Sequence, residues 1–403
     1  MKIYKVGGAI RDKLLGLPVE DTDWVVVGAT PQEMESLGYQ QVGQYFPVFL
    51  HPQTKEEYAL ARTERKTAPG YKGFRVHAAP DVTLEDDLQR RDLTINAMAE
   101  TTDGKLIDPF GGANDIHARR LRHVSEAFTE DPVRILRVAR FAARFIPLGF
   151  QVADETIALM RKMVEAGEVD ALVPERVWAE LVRALGEERP SQFFEVLRSC
   201  GALAILFPEI ERLFGVPQPR QHHPEIDSGI HVLMVLDRAA MLSDDARVRF
   251  AALVHDLGKG VTPAEEWPRH ISHEEKSVEL IKSLCERLRA PNEFRDLAIL
   301  AARYHTRCHN AAELRPATLL ETLEALDAFR RPERLEHFLI ACEADSTSRP
   351  GFETAGYPQA DIFRNALKAA KNIDASELLA SGYEGERLAA ELRNRRIAAI
   401  AAL

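Results

Sequence analysis

The stretch MKIYKVGGAIRDKLLGLPVEDTDWVVVGAT, Met1 to Thr30, decides the reading of the fold. KIYKV reads as a strand that runs into Gly7 and Gly8, where the missing side chains let a phosphate come close to the backbone. AIRDKLL then starts a helix, Gly16 ends it, and Pro18 prevents its continuation. DTDWVVV alternates little and reads as a buried strand. Asp21 and Asp23 lie two apart on it and point to one face, with alpha carbons about 6.6 Å apart. That spacing suits two carboxylates holding divalent ions roughly 4 Å apart. A dinucleotide fold shares the strand, glycine turn and helix, but GGAIRD is not GxGxxG and no regular strand–helix alternation follows. The plainer alternative is a simple turn followed by two aspartates that solvate the start of a strand.

At 403 residues the chain suggests roughly two to four domains, and 45% hydrophobic residues is ordinary for a globular core. The start MKIYKVGG has no leader character, and no stretch approaches the roughly 18 apolar residues of a membrane span. A cytoplasmic protein with no membrane contact is therefore expected. Cys200, Cys285, Cys308 and Cys342 are scattered without a CxxC pair and read as reduced core or surface thiols. The net charge of −10 argues against a polyanionic partner on average. Locally the balance reverses. Between Ala113 and Phe145 seven arginines (119, 120, 122, 134, 137, 140 and 144) face four acids (115, 126, 130 and 131).

Two further clusters add to the opening one. In LQRRDLTINAMA, residues 88 to 99, Arg91 suits a triphosphate and Asn96 a sugar or backbone, while Asp92 is placed to cap a helix. In FTEDPVRILRVARFAARF, Thr129 is placed as a cap, with acids in the first turn and Pro132 where helices tolerate it. Arg134, Arg137, Arg140 and Arg144 then share about a third of the helix circumference, with Ile135, Val138, Ala142 and Phe145 elsewhere on it. Such a stripe suits phosphates; a structural network with acidic neighbours is the alternative.

From Phe145 to about Phe214 the pattern is amphipathic helix without strand-like alternation, and Glu175–Arg176 reads as a capping or ion-pair feature. GVPQPRQHHPEID, residues 215 to 227, reads as a linker. Beyond it His231 heads an apolar helix, and His255 and Asp256 end the apolar run RFAALVHDLGKG, where an unpaired carboxylate would be costly to bury. Metal coordination resolves that cost. His270, His273, His305 and Asp345 are further candidates, and Thr306 beside His305 leaves a second metal open. The charge-mixed tail is helical.

Taken together, GGAIRDKLLG with DTD, RRDLTINAMA, DPFGG, EDPVRILRVARF and PERVW resemble the bacterial-type CCA-adding tRNA nucleotidyltransferases of the polymerase-beta-like superfamily. The histidines, the HD doublet and the distant aspartate resemble the HD superfamily of metal-dependent phosphohydrolases. The first resemblance implies that Asp21 and Asp23 bind catalytic Mg2+. It also implies that Gly8, Arg11 and Arg91 hold phosphates and sugar, that Arg137 and Arg140 add nucleotide contacts, and that Asp131 and Arg134 read the base edge. Phe110 stands where an aromatic of the Asp108 to Gly112 turn is expected. The second resemblance places a metal on His231, His255, Asp256 and Asp345, with Ni2+, Co2+ or Mn2+ suited to imidazole ligands.

The implied fold is α+β: a small nucleotidyltransferase head over residues 1–140, then helical regions at 141–215, 222–330 (the HD domain) and 331–403. The implied partners are tRNA, CTP and ATP, with no DNA and no membrane, in a monomer or homodimer. The implied chemistry is template-independent CCA addition, with a 2′,3′-cyclic phosphodiesterase, 2′-nucleotidase and phosphatase activity at the HD site. The rivals are a poly(A) polymerase, against which the HD domain and the lack of a strongly basic tail argue, and an HD signalling protein with a degenerate head, against which intact Asp21, Asp23 and Arg91 argue.

Overall fold

The computed structural model describes residues 1–42, 48–66, 74–218, 227–349, 351–352 and 354–403; most of the expected linker, residues 219–226, lies outside them. The chain divides into two compact units, Met1–Ala184 with Gln192–Leu206, and Leu185–Ser191 with Phe207–Leu403. Among the described residues no helix is long and apolar enough to cross a membrane. All four cysteines are buried and free of disulfides.

The first unit is built on the opening stretch. Lys2–Val6 and Asp23–Val27 pair antiparallel with Val6 opposite Asp23, and the helix Gly8–Leu15 lies between them in sequence. They occupy the middle of a seven-stranded mixed sheet, in the order Gln40–Gln41, Val48–Leu50, Glu57–Leu60, Asp23–Val27, Lys2–Val6, Ala99–Thr101, Leu106–Ile107. Only the pairing of Asp23–Val27 with Glu57–Leu60 is parallel. The valine run has a simple reason. Val25 packs into one core with Val6, Leu88 and Ala99, while Val26 packs into another with Met34, Phe49 and Leu60. Successive side chains leave opposite faces of a strand, so a strand covered on both sides shows little polar alternation.

Two expectations need correction. Asp92 caps no helix: Thr94–Asn96 is a single 3-10 turn without a side-chain cap, followed by the strand Ala99–Thr101. Thr129 falls in an earlier 3-10 turn, Glu126–Glu130, where its hydroxyl donates to the Glu126 carbonyl. The arginine helix begins only at Val133, with Pro132 at its cap position and Asp131 accepting from the Val133 amide. The helices Asp154–Glu165, Pro174–Leu185, Ser191–Ser199 and Ala202–Leu206 follow. The one strand in that region, Gln151–Val152, pairs parallel with Arg120–Leu121.

The second unit is helical. Asp227 caps Ser228–Leu242 by accepting from the Gly229 and Ile230 amides. Ala246–Val254, His273–Leu288, Asn292–His309 and Pro332–Thr347 carry the candidate ligands or lead directly into them. Pro358–Lys371, Ala375–Ala380 and Gly385–Ala401 form the tail.

Candidate active sites

In the first unit the chemistry gathers around Gly7. Its φ of 73° lies in the left-handed region, and a β-carbon there would sit 2.9 Å from Arg91 Nη1, so only glycine lets this arginine cross the turn. The expectation that Asp21 and Asp23 stand together on the strand needs correction: pairing with Lys2–Val6 ends at Val6 opposite Asp23, so Asp23 opens the strand beside this turn and Asp21 lies before it; both are exposed. Among the described residues neither carboxylate has a hydrogen-bond or ion-pair partner. Both are therefore open to a cation.

A chain of polar contacts runs behind the turn. Arg11 is 5% exposed and grips Asp12 through Nε and Nη2, both at 2.8 Å. Its Nη1 donates to Asn96 Oδ1 at 2.7 Å, and its guanidinium lies over the rings of Phe141 and Phe145. Asn96 Nδ2 donates to Asp92 Oδ1 at 3.0 Å, and Arg137 Nε donates to Asp92 Oδ2 at 2.7 Å. Burial opposes ionisation of Asp92, yet the Arg137 guanidinium, with Asn96 and the Leu93 amide, holds its carboxyl well below the usual range. Asp92 in turn raises the Arg137 pKa. Sequence proximity suggested neither the Arg137–Asp92 nor the Arg11–Asn96 contact, whose partners stand 45 and 85 residues apart.

The arginine helix is not a bare cationic ridge. Arg137 is held by Asp92, Arg140 by Glu180 at 2.7 Å, and Arg144 lies 3.9 Å from Asp12. Arg134 is buried and donates to the Ala127 carbonyl. Asp131 meets both Arg176 nitrogens, at 3.0 and 2.6 Å, so Arg176 is the ion-pair residue its position suggested. Asp108 accepts from the Gly112 and Ala113 amides and so starts the helix Gly112–His117.

In the second unit the HD motif closes a cluster drawn from five helices or helix ends. His231 Nε2 lies 2.9 Å from Asp345 Oδ1, and His255 Nε2 lies 3.5 Å from Asp345 Oδ2 and 3.3 Å from Asp256 Oδ2. Lys259 Nζ is 2.5 Å from Asp256 Oδ2 and donates to Gln218 Oε1. Gly258 is required here: a β-carbon would lie 2.0 Å from the His273 carbonyl oxygen, so the glycine lets the helix His273–Leu288 begin against the motif. His270 is a structural histidine, bonded to Thr262 and to the Pro217 carbonyl. His309 is a residue the sequence reading missed; its Nε2 lies 2.8 Å from Asp345 Oδ2. The signal was present, because His305 and His309 are four apart on one helix.

The electrostatics fit a cation. Burial alone would push His255 down, but Asp256 and Asp345 raise it to about 10. Burial likewise opposes ionisation of Asp256 and Asp345, yet Lys259 and His255 lower the first and His255 with His231 the second. His255 Nδ1 donates to the Ala252 carbonyl at 2.8 Å, which turns Nε2 into the cluster. Buried His255 Nε2 and Asp256 Oδ1 make no hydrogen bond of good geometry. The sets His231, His255, Asp256 and His255, His305, Asp345 each offer ligand atoms within 4.8 Å of one another. Imidazoles with carboxylates and orphaned buried atoms are what a transition-metal ion satisfies.

Residues 3–122 match the family model of the poly A polymerase head domain, residues 149–214 that of the probable RNA and SrmB-binding site of polymerase A, and residues 229–349 that of the HD domain. Fold and sites thus define a nucleotidyltransferase head joined to an HD domain. The chain is 66% identical over 400 residues to the multifunctional CCA protein of Thioalkalivibrio sulfidiphilus, covering 99% of this chain and 98% of that one. It is 64% identical over 401 residues to that of Methylococcus capsulatus, covering 99% and 94%. The chain belongs to the multifunctional CCA protein family. Among solved structures, a CCA-adding enzyme complexed with ATP shares the fold with a TM-score of 0.67 at 20% identity, over 99% of this chain and 86% of that one. The Bacillus stearothermophilus CCA-adding enzyme in complex with CTP does so with a TM-score of 0.64 at 23% identity, over 97% and 87%.

Proposed function

We propose that this chain adds and repairs the 3′-terminal CCA of tRNA from CTP and ATP in its head, and hydrolyses phosphate esters at its HD cluster. One observation carries the head reading. Asp21 and Asp23 stand without partners among the described residues beside the Gly7–Gly8 turn, while Asp12, Asp87, Asp92 and Asp131 are all paired with arginines. These two aspartates would hold magnesium, which would supply the charge neutralisation that phosphoryl transfer needs. Gly8 lets the triphosphate approach, and Arg11 and Arg91 bind its phosphates and sugar from positions fixed by Asp12, Asn96 and Asp87. Arg137 and Arg140 add further contacts.

Base choice falls to Asp131 and Arg134. After meeting Arg176 and the Val133 amide, the Asp131 carboxylate keeps acceptor capacity for an exocyclic amine. Arg134 donates to the Ala127 carbonyl, and a guanidinium carries five N–H donors with which to meet a ring acceptor. Cytosine and adenine both present such edges.

At the second site His231, His255, Asp256 and Asp345 would hold a nickel, cobalt or manganese ion, which supplies Lewis acidity toward a phosphate ester. Substrates there include 2′,3′-cyclic RNA ends, 2′-phosphates and simple phosphomonoesters. Lys259 Nζ lies beside Asp256 there. The proposed division is a head at 1–140, a helical RNA-binding neck at 141–215, the HD domain at 222–330 and a tail at 331–403, in a cytoplasmic monomer or homodimer that acts on tRNA and not on DNA or membranes. Incubation with magnesium and tRNA lacking its 3′ end, with each nucleoside triphosphate alone and together, tests the reading. Products ending in CCA support it; a run of A from ATP alone would instead indicate a poly(A) polymerase.

A further inference from the structure

The segment from Val261 to Ser272 leaves the 3-10 turn of the HD motif, Leu257–Val261, and arrives at the helix His273–Leu288. Along it Val261 is 40%, Trp267 37% and Ile271 58% exposed. Large apolar side chains left in water within one short segment mark a surface that something else covers.

The indole is tied in place. Trp267 Nε1 donates to Thr262 Oγ1 at 3.2 Å. Thr262 is itself buried, its Oγ1 lying 2.8 Å from the Lys259 carbonyl oxygen and 2.7 Å from His270 Nδ1. The His270 carbonyl in turn meets His273 Nδ1 at 3.0 Å. Trp267 is thereby linked through Thr262 to Lys259 and through His270 to His273, and both of those side chains lie beside Asp256. With its N–H committed, the ring can offer a partner only its apolar faces and edges. The backbone after it is equally fixed: φ is 51° at His270 and 57° at Ser272, conformations that non-glycine residues rarely adopt, and they hold Ile271 outward between them.

Charge accompanies the aromatic. Arg269 is exposed, and among the described residues its guanidinium has no hydrogen-bond or ion-pair partner. Glu266, the acid just before Trp267, is answered by Lys276 at 3.9 Å. A pinned aromatic ring with an unpaired arginine two residues away is the equipment with which proteins hold single-stranded RNA, since any base has a face to stack and any backbone a phosphate to neutralise.

We propose that Trp267 is a stacking platform for the base of a nucleotide whose phosphate ester lies at the HD cluster. Ile271 flanks that base, and Arg269 meets the backbone phosphate on its 5′ side. The occupant is the single-stranded 3′ end of an RNA, and adenine, with the larger ring system, is held more firmly than a pyrimidine.

The platform rests on the hydrolytic reading of the HD cluster, and fluorescence separates the two. The full chain carrying Trp24→Phe and Trp178→Phe keeps Trp267 as its one tryptophan. Adenosine 2′-phosphate should quench its emission, uridine 2′-phosphate less so, and base-free glycerol 2-phosphate not at all. In Trp267→Ala the preference in kcat/KM for adenosine 2′-phosphate over glycerol 2-phosphate should fall about tenfold, through KM, and Trp267→Phe should recover most of it. Arg269→Ala should weaken binding of the trinucleotide CCA and flatten its dependence of log affinity on log salt by about 0.7. Quenching without hydrolysis of either ester sinks the hydrolytic reading and leaves the platform. Absence of quenching at millimolar nucleotide, or hydrolysis with an unchanged preference in Trp267→Ala, overturns the platform. An unchanged salt slope in Arg269→Ala overturns the arginine's role. A shift of Trp267→Ala from dimer to monomer in sedimentation assigns the surface to a contact between copies and overturns the RNA assignment.

Discussion

Replacing Asp92 by asparagine would remove a single charge from the middle of the relay that links Arg137 to Asn96 and Arg11. The carboxylate side chain is 4% exposed and its partner Arg137 35% exposed. Breaking a fully buried ion pair costs about 3–5 kcal/mol; with one partner a third open to water, screening reduces the expected cost to about 2 kcal/mol. In a unit of this size each kcal/mol moves the melting temperature by roughly 2–4 °C, so Asp92→Asn should lower it by about 4–8 °C.

The pH dependence carries a sign. The folded Asp92 carboxyl lies below its ordinary value, so its contribution is fully present above the unfolded value of about 3.9 and is lost as pH falls through the depressed folded value. The gap between variant and unmutated chain should therefore stay constant from about pH 5 to pH 8 and shrink below about pH 4. Because asparagine keeps one acceptor oxygen where Asp92 offers two, Asn96 and Arg137 cannot both stay bonded to it, Arg11 loosens, and KM for both CTP and ATP should rise more than kcat falls. Calorimetric melts across pH and steady-state kinetics on tRNA ending in C or CC would measure this. A melting point within about 1 °C of the unmutated chain, or a gap that widens in acid, would refute the relay.

Asp131→Ala or Arg134→Ala should raise incorporation of UTP and GTP relative to CTP and ATP more than it weakens triphosphate binding; an unchanged preference in competition assays would leave the pair purely structural. His255→Ala and Asp256→Ala should abolish phosphoester hydrolysis across a metal series while largely sparing nucleotide addition, and Asp21→Ala should do the reverse, both activities being followed in every variant. Gly258→Ala forces a carbon onto the His273 carbonyl. It should cost about 1–3 kcal/mol in chemical denaturation and lower hydrolysis with it; wild-type stability would show that the helix start moves freely.

The parts legible in the sequence were those whose chemistry is local. The strand, glycine turn, helix and valine strand of Met1–Val27 follow from residue types at fixed offsets, and all four are present. His231, His255, Asp256 and Asp345 could be brought together only through resemblance, since the first and last stand 114 residues apart. What stayed hidden was partnership across the fold. Glu180, Asp12 and Asp92 hold the arginine helix, and nothing in its own repeat says which carboxylates will arrive. Asp92 read as a cap because aspartate ahead of an apolar segment usually is one; the buried Arg137 guanidinium and Asn96 amide outcompeted the helix for it. His309 sat one turn beyond a noted histidine and was passed over.

Arginines already held by carboxylates change what nucleotide binding means for this chain. Asp12, Asp92 and Glu180 act as resident counter-ions, so a triphosphate entering the head meets arginines whose charge is already balanced instead of condensing onto an uncompensated cationic face. Mobile salt ions have correspondingly little to lose or gain, and affinity for CTP should fall only gently with ionic strength, more gently than a groove of free arginines would show. A protein of net charge −10 can thus handle polyanions without carrying a field that would gather them indiscriminately.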